Sequence, residues 1–298
     1  GADLTSLLLE VMQRRAARVS PSDLRHRHAT DRFVAPPAAT FESMRRVEDV
    51  LLAASKGLFE PVALAPLVPL GTHSALATVA QNKIVTTLRS TEVAADPTNA
   101  LALLAAERRS AALGQDAKSA ARVAVAAFQR VVRAQHLEGA GRFAHFALFG
   151  LLSAGRDAGD LTFERDVAPS HLNVHTRGLL ALGATEITVS LTDFSGGAFA
   201  RVVDACNAGL AGLPRVICRE DPARTSGTGY YSGFCFKVHA AFGSADTPME
   251  TSDGGIVDWT QRLLGSAKER CFISGLGIER VALAVAAQNG NSEDSHDR

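Results

Sequence analysis

Apolar residues recur at helical spacing from the start of the chain. Leu8, Val11 and Met12 share one side of Leu4–Arg18, and Arg14, Arg15 and Arg18 fill its last turn. Ser20-Pro21-Ser22-Asp23 breaks this helix, and Arg25-His26-Arg27-His28 reads as a solvated basic run. Phe33–Pro37 is an extended connector. Thr40 caps a second helix with Phe41, Met44, Val47, Leu51 and Ala54 on one face, and Gly57 stops it. Pro61, Pro66 and Pro69 punctuate the strand expected over Phe59–Leu70, which confines it to a sheet edge or a bulge. Lys83–Arg89 and Thr91–Ala94 also read as strand. Asp96-Pro97-Thr98-Asn99 starts a helix, with Asp at the cap and Pro at the first helical position. That helix runs to about Gly114, and the alanine-rich Ala117–Phe128 reads as another.

Val131–Gly155 reads as two strands joined at Glu138-Gly139-Ala140-Gly141. Alternation puts Arg133, Gln135 and Leu137 on one face of the first strand and Val132, Ala134 and His136 on the other. Beyond it, Gly155–Ser170 is a charged loop and His171–Leu182 a helix. Glu186–Leu191 is a strand, Ala198–Leu210 a helix and Tyr230–Ala240 a strand. Asp253-Gly254-Gly255 reads as a turn, Arg270–Ser274 as the last strand and Ile278–Gln288 as the closing helix. Short turns join most strands and the helices do not alternate strictly with them, which predicts an α+β fold with an antiparallel sheet flanked by helices. The expected division is a helical segment over 1–32, one domain over 33–288 and a polar, disordered tail over 289–298.

Composition narrows the function classes. At 298 residues the chain can bury a full core. Lys+Arg and Asp+Glu both number 31, so no basic excess advertises nucleic acid or an anionic membrane, which leaves only a local patch for either. None of the four cysteines forms a Cys-x-x-Cys pair, so zinc and dithiol chemistry lack support and no protein-held metal is expected. Scattered thiols and a first apolar block of only three leucines point to a cytoplasmic protein with no membrane span.

The central hairpin holds the candidate chemistry. Arg133, Arg142 and Phe146 near one turn can grip a triphosphate and stack on its base, since guanidinium offers forked donors to phosphate oxygens. The same arginines also fit a solvated pair on an ordinary hairpin. Asp96 is a helix cap or an amino-group acceptor. Tyr230 and Tyr231 are adjacent on an expected strand, so their rings should point to opposite faces and at most one should line a pocket. Trp259 reads as packing, and His136 and His145 as hydrogen-bonded hairpin residues. Ser195-Gly196-Gly197 lacks the lysine and spacing of a P-loop.

Three segments in order resemble class II aminoacyl-tRNA synthetases. Ile273–Val285, ISGLGIERVALAV, is similar to motif 3, a strand, a Gly-x-Gly turn and a helix with an arginine, Arg280. The hairpin resembles motif 2, with Val132-Arg133-Ala134-Gln135 in place of Phe-Arg-x-Glu, and Arg142 followed by Phe146. Thr40–Leu70 stands where motif 1, the dimerisation element, belongs. Within the class, Thr228–Ala240 (TGYYSGFCFKVHA), Asp253–Gly265 (DGGIVDWTQRLLG) and the Asp96-Pro97-Thr98 helix start resemble histidyl-tRNA synthetase.

The resemblance implies roles. Arg133 would hold the ATP α-phosphate and the carboxylate being activated, with Gln135 beside it. Arg142 and Arg280 would grip the β- and γ-phosphates, Phe146 and Arg280 would cover the two adenine faces, and Mg²⁺ would bridge the phosphates. Asp96, Thr98, Leu148, Leu152, Tyr230 and Tyr231 would line the substrate side.

The departures matter as much. Gln135 replaces a glutamate, and Leu148 and Leu152 fall where histidyl enzymes read the imidazole, so histidine would lose buried polar partners at about 1–3 kcal/mol each. Ser226 stands for the subgroup's arginine with Arg224 two residues away, Ile256 for another arginine and Lys237 for a glutamate. The chain ends after motif 3, without room for an anticodon-binding domain, so anticodon-dependent tRNA binding is not expected.

The leading expectation is a homodimeric, ATP-binding paralogue that adenylates an amino acid other than histidine, or a related carboxylate, for a non-tRNA acceptor such as a protein. The alternative is a non-catalytic regulatory subunit whose partner is an ATP phosphoribosyltransferase of histidine biosynthesis. A third reading is tRNA aminoacylation with a separate tRNA-binding partner.

Overall fold

A computed structural model describes residues 2–135, 144–243 and 247–293. Helices α1 (Ala2–Ala16) and α2 (Pro21–Thr30) come first. The break at Ser20 is also a start: its hydroxyl accepts from the Asp23 N–H while Asp23 accepts from the Ser20 N–H, a capping box that turns the expected solvated run into α2. Thr40 caps α3 (Phe41–Ser55). The proline-rich stretch yields only β1 (Glu60–Pro61) and β2 (Leu67–Pro69), followed by α4 (Thr72–Leu76). Asp96 accepts from the Thr98 N–H and caps α5 (Pro97–Gln115), just after β3 (Thr91–Val93).

The rest of the chain is β4 (Val123–Val132), β5 (His145–Arg156), α6 (Thr162–Ala181), β6 (Glu186–Asp193), α7 (Ala200–Leu210), β7 (Val216–Glu220), β8 (Phe234–Ala241), β9 (Met249–Val257), α8 (Trp259–Leu264), β10 (Glu269–Gly277) and α9 (Ile278–Glu293). Among the described residues, eight strands form one sheet in the order β1-β4-β5-β10-β9-β8-β6-β7. Its interior pairings are antiparallel, and only β1 and β7, at the two edges, run parallel to their neighbours. This is the expected α+β architecture, with the prolines of Phe59–Leu70 at an edge.

Several local expectations are overturned. Ala117–Phe128 is not a helix: from Val123 onward it is β4, paired with β5 from Val123↔Ala154 to Val132↔His145. Its alanines are small because both sheet faces are covered there; Ala126 is buried on one side and Val125 and Ala127 on the other. Lys83–Arg89 is not a strand, since one helical turn covers Gln81–Lys83 and Thr86 makes a lone bridge to Glu92. Much of the Gly155–Ser170 loop is ordered, as β5 reaches Arg156 and α6 starts at Thr162. The charges there pair, Arg270 with Asp157 at 2.8 Å and with Glu164 at 3.3 Å. Edge strand β7 was not foreseen. The closing helix runs past Gln288 to Glu293. The turn Glu138–Gly141 and Arg142 lie outside the described residues.

Asp253-Gly254-Gly255 is the middle of β9, not a turn. The glycines serve packing: a Cβ on Gly254 would fall 2.5 Å from the Ser274 Cβ and 2.6 Å from the Ile273 carbonyl oxygen. Gly254→Ala is therefore expected to cost about 1–3 kcal/mol, read as a lower urea midpoint at unchanged slope. An unchanged midpoint would refute this packing.

Two cores sandwich the sheet. Helices α3, α6, α7 and α9 cover one face, and α4, α5 and α8 pack on the other. Beneath the first face, Ser274 Oγ lies 2.8 Å from both His171 Nδ1 and His175 Nε2, and His171 Nε2 lies 3.0 Å from Ser153 Oγ. Burial disfavours the imidazolium of both rings, holding His171 well below its ordinary value and His175 at about 3. As pH falls through about 6.5 the unfolded chain takes up protons that the folded chain refuses. Stability is thus full above about 6.5 and declines toward about 3, by up to about 1.4 kcal/mol per pH unit per histidine. Urea midpoints at pH 7.5 and 5.5 should differ accordingly, and His175→Gln should shrink the difference. Equal midpoints would rule the account out.

Candidate functional site

A cavity of about 440 Å³ opens on the α5 face of the sheet. Its floor includes Ile273, Ser274 and Gly275 of β10, and one wall is the start of α5, Asp96, Thr98 and Asn99. Gly150 lets that helix end approach: a Cβ there would meet Pro97 Cγ at 2.8 Å. The segment after β4 supplies Arg133 and Gln135.

Arg133 is the anchor. Its Nε donates to the Ala95 carbonyl at 3.1 Å, Nη2 lies 3.4 Å from Asp96 Oδ2, and the guanidinium sits 5.0 Å from the Phe146 ring centroid. The side chain remains about one-third exposed, so the fork keeps donors free for a ligand. Asp96 is both cap and wall; its Oδ1 accepts from the Thr98 hydroxyl at 2.6 Å.

The segment between β7 and β8 brings both tyrosines to the cavity, against expectation. They precede β8 in a turn-rich loop with left-handed Gly227, Gly229 and Gly233, so strand alternation does not apply. Their rings meet edge-on at 4.8 Å, and Trp259 packs edge-on at 5.9 Å behind Tyr230. The Tyr231 hydroxyl donates to Asp253 Oδ2 at 3.0 Å. Burial pushes both phenols well above their ordinary value, so both stay protonated and can donate. Burial also raises the Asp253 carboxyl.

Other expected site residues lie elsewhere. Leu152 is fully buried among Leu101, Ala154 and Trp259 as core, and Leu148 is half-buried opposite Gly277; neither lines the cavity. Even-numbered β5 residues do face α5, but α5 and α8 close over Leu152. Arg280, exposed in the first turn of α9, donates to the Glu250 carbonyl at 2.6 Å, so it reaches a residue of the cavity wall without lining the cavity itself. His145 is bonded to Arg130 and to the Ala35 carbonyl, as a hairpin histidine should be.

Sequence reasoning missed several lining residues. Arg224 joins Ser226 in the lining: its Nε donates to the Ser226 carbonyl at 2.8 Å, its guanidinium lies 6.0 Å from the Tyr231 ring centroid, and its Nη1 is buried without a partner. Its position two residues from Ser226 was the available signal. Lys237 and Glu250 pair at 2.6 Å across β8 and β9, so the lysine that departs from the subgroup pattern has a carboxylate of its own. His73 comes from a segment with no motif, and Asn99 directly follows the Asp96-Pro97-Thr98 helix start. Lys83, Arg133, Arg224 and Lys237 face Asp96, Glu250 and Asp253, four cationic groups against three carboxyl groups, a surplus of one that suits an anionic ligand. Among the described residues no three His, Cys, Asp or Glu side chains converge on a metal site.

A scan against protein-family models finds no match, and no curated protein matches the sequence. Solved structures do match. An ATP phosphoribosyltransferase regulatory subunit/histidyl-tRNA synthetase from Bacillus halodurans superposes with a TM-score of 0.61 at 12% identity, over 82% of this chain and 79% of that one. A histidine–tRNA ligase subunit from Alicyclobacillus acidocaldarius gives 0.61 at 16% identity, over 85% and 98%. Apo histidyl-tRNA synthetase from S. aureus gives 0.59 at 14% identity, over 83% and 66%. The fold is that of a class II synthetase. The segments that resemble motifs 2 and 3 fall on β4 and β5 and on β10 with α9. At these identities the likeness is one of fold. No described helix is long and apolar enough to cross a membrane.

Proposed function

We propose that this chain binds ATP with Mg²⁺ and activates a small carboxylic acid, an amino acid other than histidine or a close analogue, as its adenylate for a non-tRNA acceptor. The observation that carries this is the pairing of Arg133 with Asp96 in the cavity lining, with the Phe146 ring against the Arg133 guanidinium. A guanidinium with free donors, backed by an aromatic face, suits a phosphate next to a planar base. With no protein-held metal cluster among the described residues, Mg²⁺ is taken to arrive with the nucleotide and to offset charge on its phosphates. Arg133 would draw the α-phosphate and the attacking carboxylate together. Buried tyrosines would exclude water from the anhydride. Arg142 and Arg280 are assigned to the outer phosphates by resemblance alone.

Phe41, Leu52, Leu58, Leu67 and Leu70 are exposed along α3 and the β1–β2 segment, which supports a homodimer through that face. ATP–pyrophosphate exchange across a panel of amino and organic acids tests the catalytic reading, and absence of exchange with every acid would overturn it.

A second reading is a binding subunit for an ATP phosphoribosyltransferase. It is favoured by Gln135 and Ser226 in place of charged residues, and by the regulatory subunit among the structural neighbours. Co-purification with a phosphoribosyltransferase, without exchange activity, would support it.

A further inference from the structure

The inner wall of the cavity contains a hydrogen-bond chain whose direction can be fixed. The Ala95 N–H donates to His73 Nε2 at 3.0 Å. A backbone amide can only donate, so His73 Nε2 accepts and the proton of the neutral ring sits on Nδ1. Nδ1 lies 2.7 Å from the Asn99 side chain and must donate to it, which makes the near atom of Asn99 its oxygen. The Asn99 amide nitrogen is therefore turned away from His73, and it is buried with no partner although the residue is only 1% exposed. Asn99 lines the cavity, as does Arg224, whose Nη1 is likewise buried and unpartnered. Buried polar groups are rarely left unpaired, because each costs about 1–3 kcal/mol. Both orphaned groups can only donate, and both belong to residues that line the same hollow.

We propose that Asn99, held by His73, is a specificity-determining residue that reads a second carboxylate on the ligand, with Arg224 as its companion donor. The ligand class is a small diacid: one carboxylate is presented for activation and the other is bound at the inner wall. Two donor-only groups match a carboxylate, whose oxygens only accept, and a carboxamide would turn an N–H₂ toward one of them. The cationic surplus of the lining favours the same choice. Leucine at 148 and 152, packed away from the cavity, leaves the inner wall as the place where side chains are told apart. This inference rests on the cavity being the acid-binding site of the preceding section.

Isothermal titration of the full chain with and without Mg-ATP tests it, using L-aspartate, L-glutamate, succinate, L-asparagine, L-glutamine and L-leucine. The expected result is binding of at least one diacid about tenfold or more tighter than its amide and than leucine. Amino diacids binding above succinate would identify an amino acid, and the reverse a simple organic acid; either supports the proposal. Asn99→Leu, and Asn99→Ala as a second variant, should lose that preference while the affinity for Mg-ATP alone stays within about twofold. Unliganded melting curves establish that each variant folds. Equal affinity for diacid and amide in the natural chain overturns the proposal without using any variant, as does a preference that survives in a folded Asn99 variant. Mg-ATP binding with no diacid preference overturns this inference and leaves the nucleotide reading standing. Diacid preference without Mg-ATP binding does the opposite.

Discussion

Arg109→Ala is expected to destabilise the protein by about 3–5 kcal/mol. Arg109 and Glu269 are both fully buried, and they join α5 to the start of β10 through a fork, Nε to Oε2 at 2.8 Å and Nη2 to Oε1 at 2.9 Å. Two further guanidinium N–H groups donate to the Ala121 and Ser119 carbonyls, so one side chain also ties down the connector into β4. Alanine would strand the Glu269 carboxylate in the interior and open a cavity the size of an arginine. Urea denaturation should show a lower midpoint, and an exchange assay on the surviving folded fraction should be unaffected, because Arg109 is remote from the cavity lining. Replacing both partners with apolar residues of similar volume, Arg109→Met with Glu269→Leu, should recover most of the loss, since no lone buried charge remains. A single variant that loses less than about 1 kcal/mol would show that the pair is not what secures α5.

Arg133→Ala is expected to lower ATP–pyrophosphate exchange by about 10²–10³-fold, the usual effect of removing one fixed donor from developing charge. The same change should weaken the thermal stabilisation by Mg-ATP. The unliganded melting temperature should barely move, because the Arg133–Asp96 contact is long and partly solvated, a geometry that contributes little. Arg133→Lys keeps the charge but loses the fork, and should recover only part of the activity. Exchange within threefold of the natural chain would remove Arg133 from the mechanism. Leu152→Gln, by contrast, should damage the fold rather than alter acid preference, since Leu152 belongs to the core.

How much was legible follows from the range of each signal. Caps and periodicity act within one turn of chain, so Thr40 and Asp96 announced their helices from sequence. The hairpin strand β5 and the final strand-to-helix passage were legible for the same reason. Alanine-rich β4 was misread because small residues suit both a helix and a strand covered on two faces, and only the coverage distinguishes them. Gly254 and Gly255 mimicked a turn, yet they are glycine because Ser274, Ile273, Phe234 and Tyr231 approach too closely for any Cβ. Alternation failed for Tyr230 and Tyr231 because their loop is no strand.

Local sequence determined the α+β class and the caps of α3 and α5, since these depend on neighbours a few positions apart. Tertiary structure alone decided that Arg224 joins Ser226 in the cavity lining, that Leu152 is core, and that Asn99 gives its amide oxygen to His73. Those outcomes depend on groups far apart in sequence: His73 and Asn99 are 26 residues apart, and Arg109 and Glu269 are 160 apart. Such distances leave no periodicity to read, and only the closing of α5 over the sheet brings these side chains within hydrogen-bonding reach.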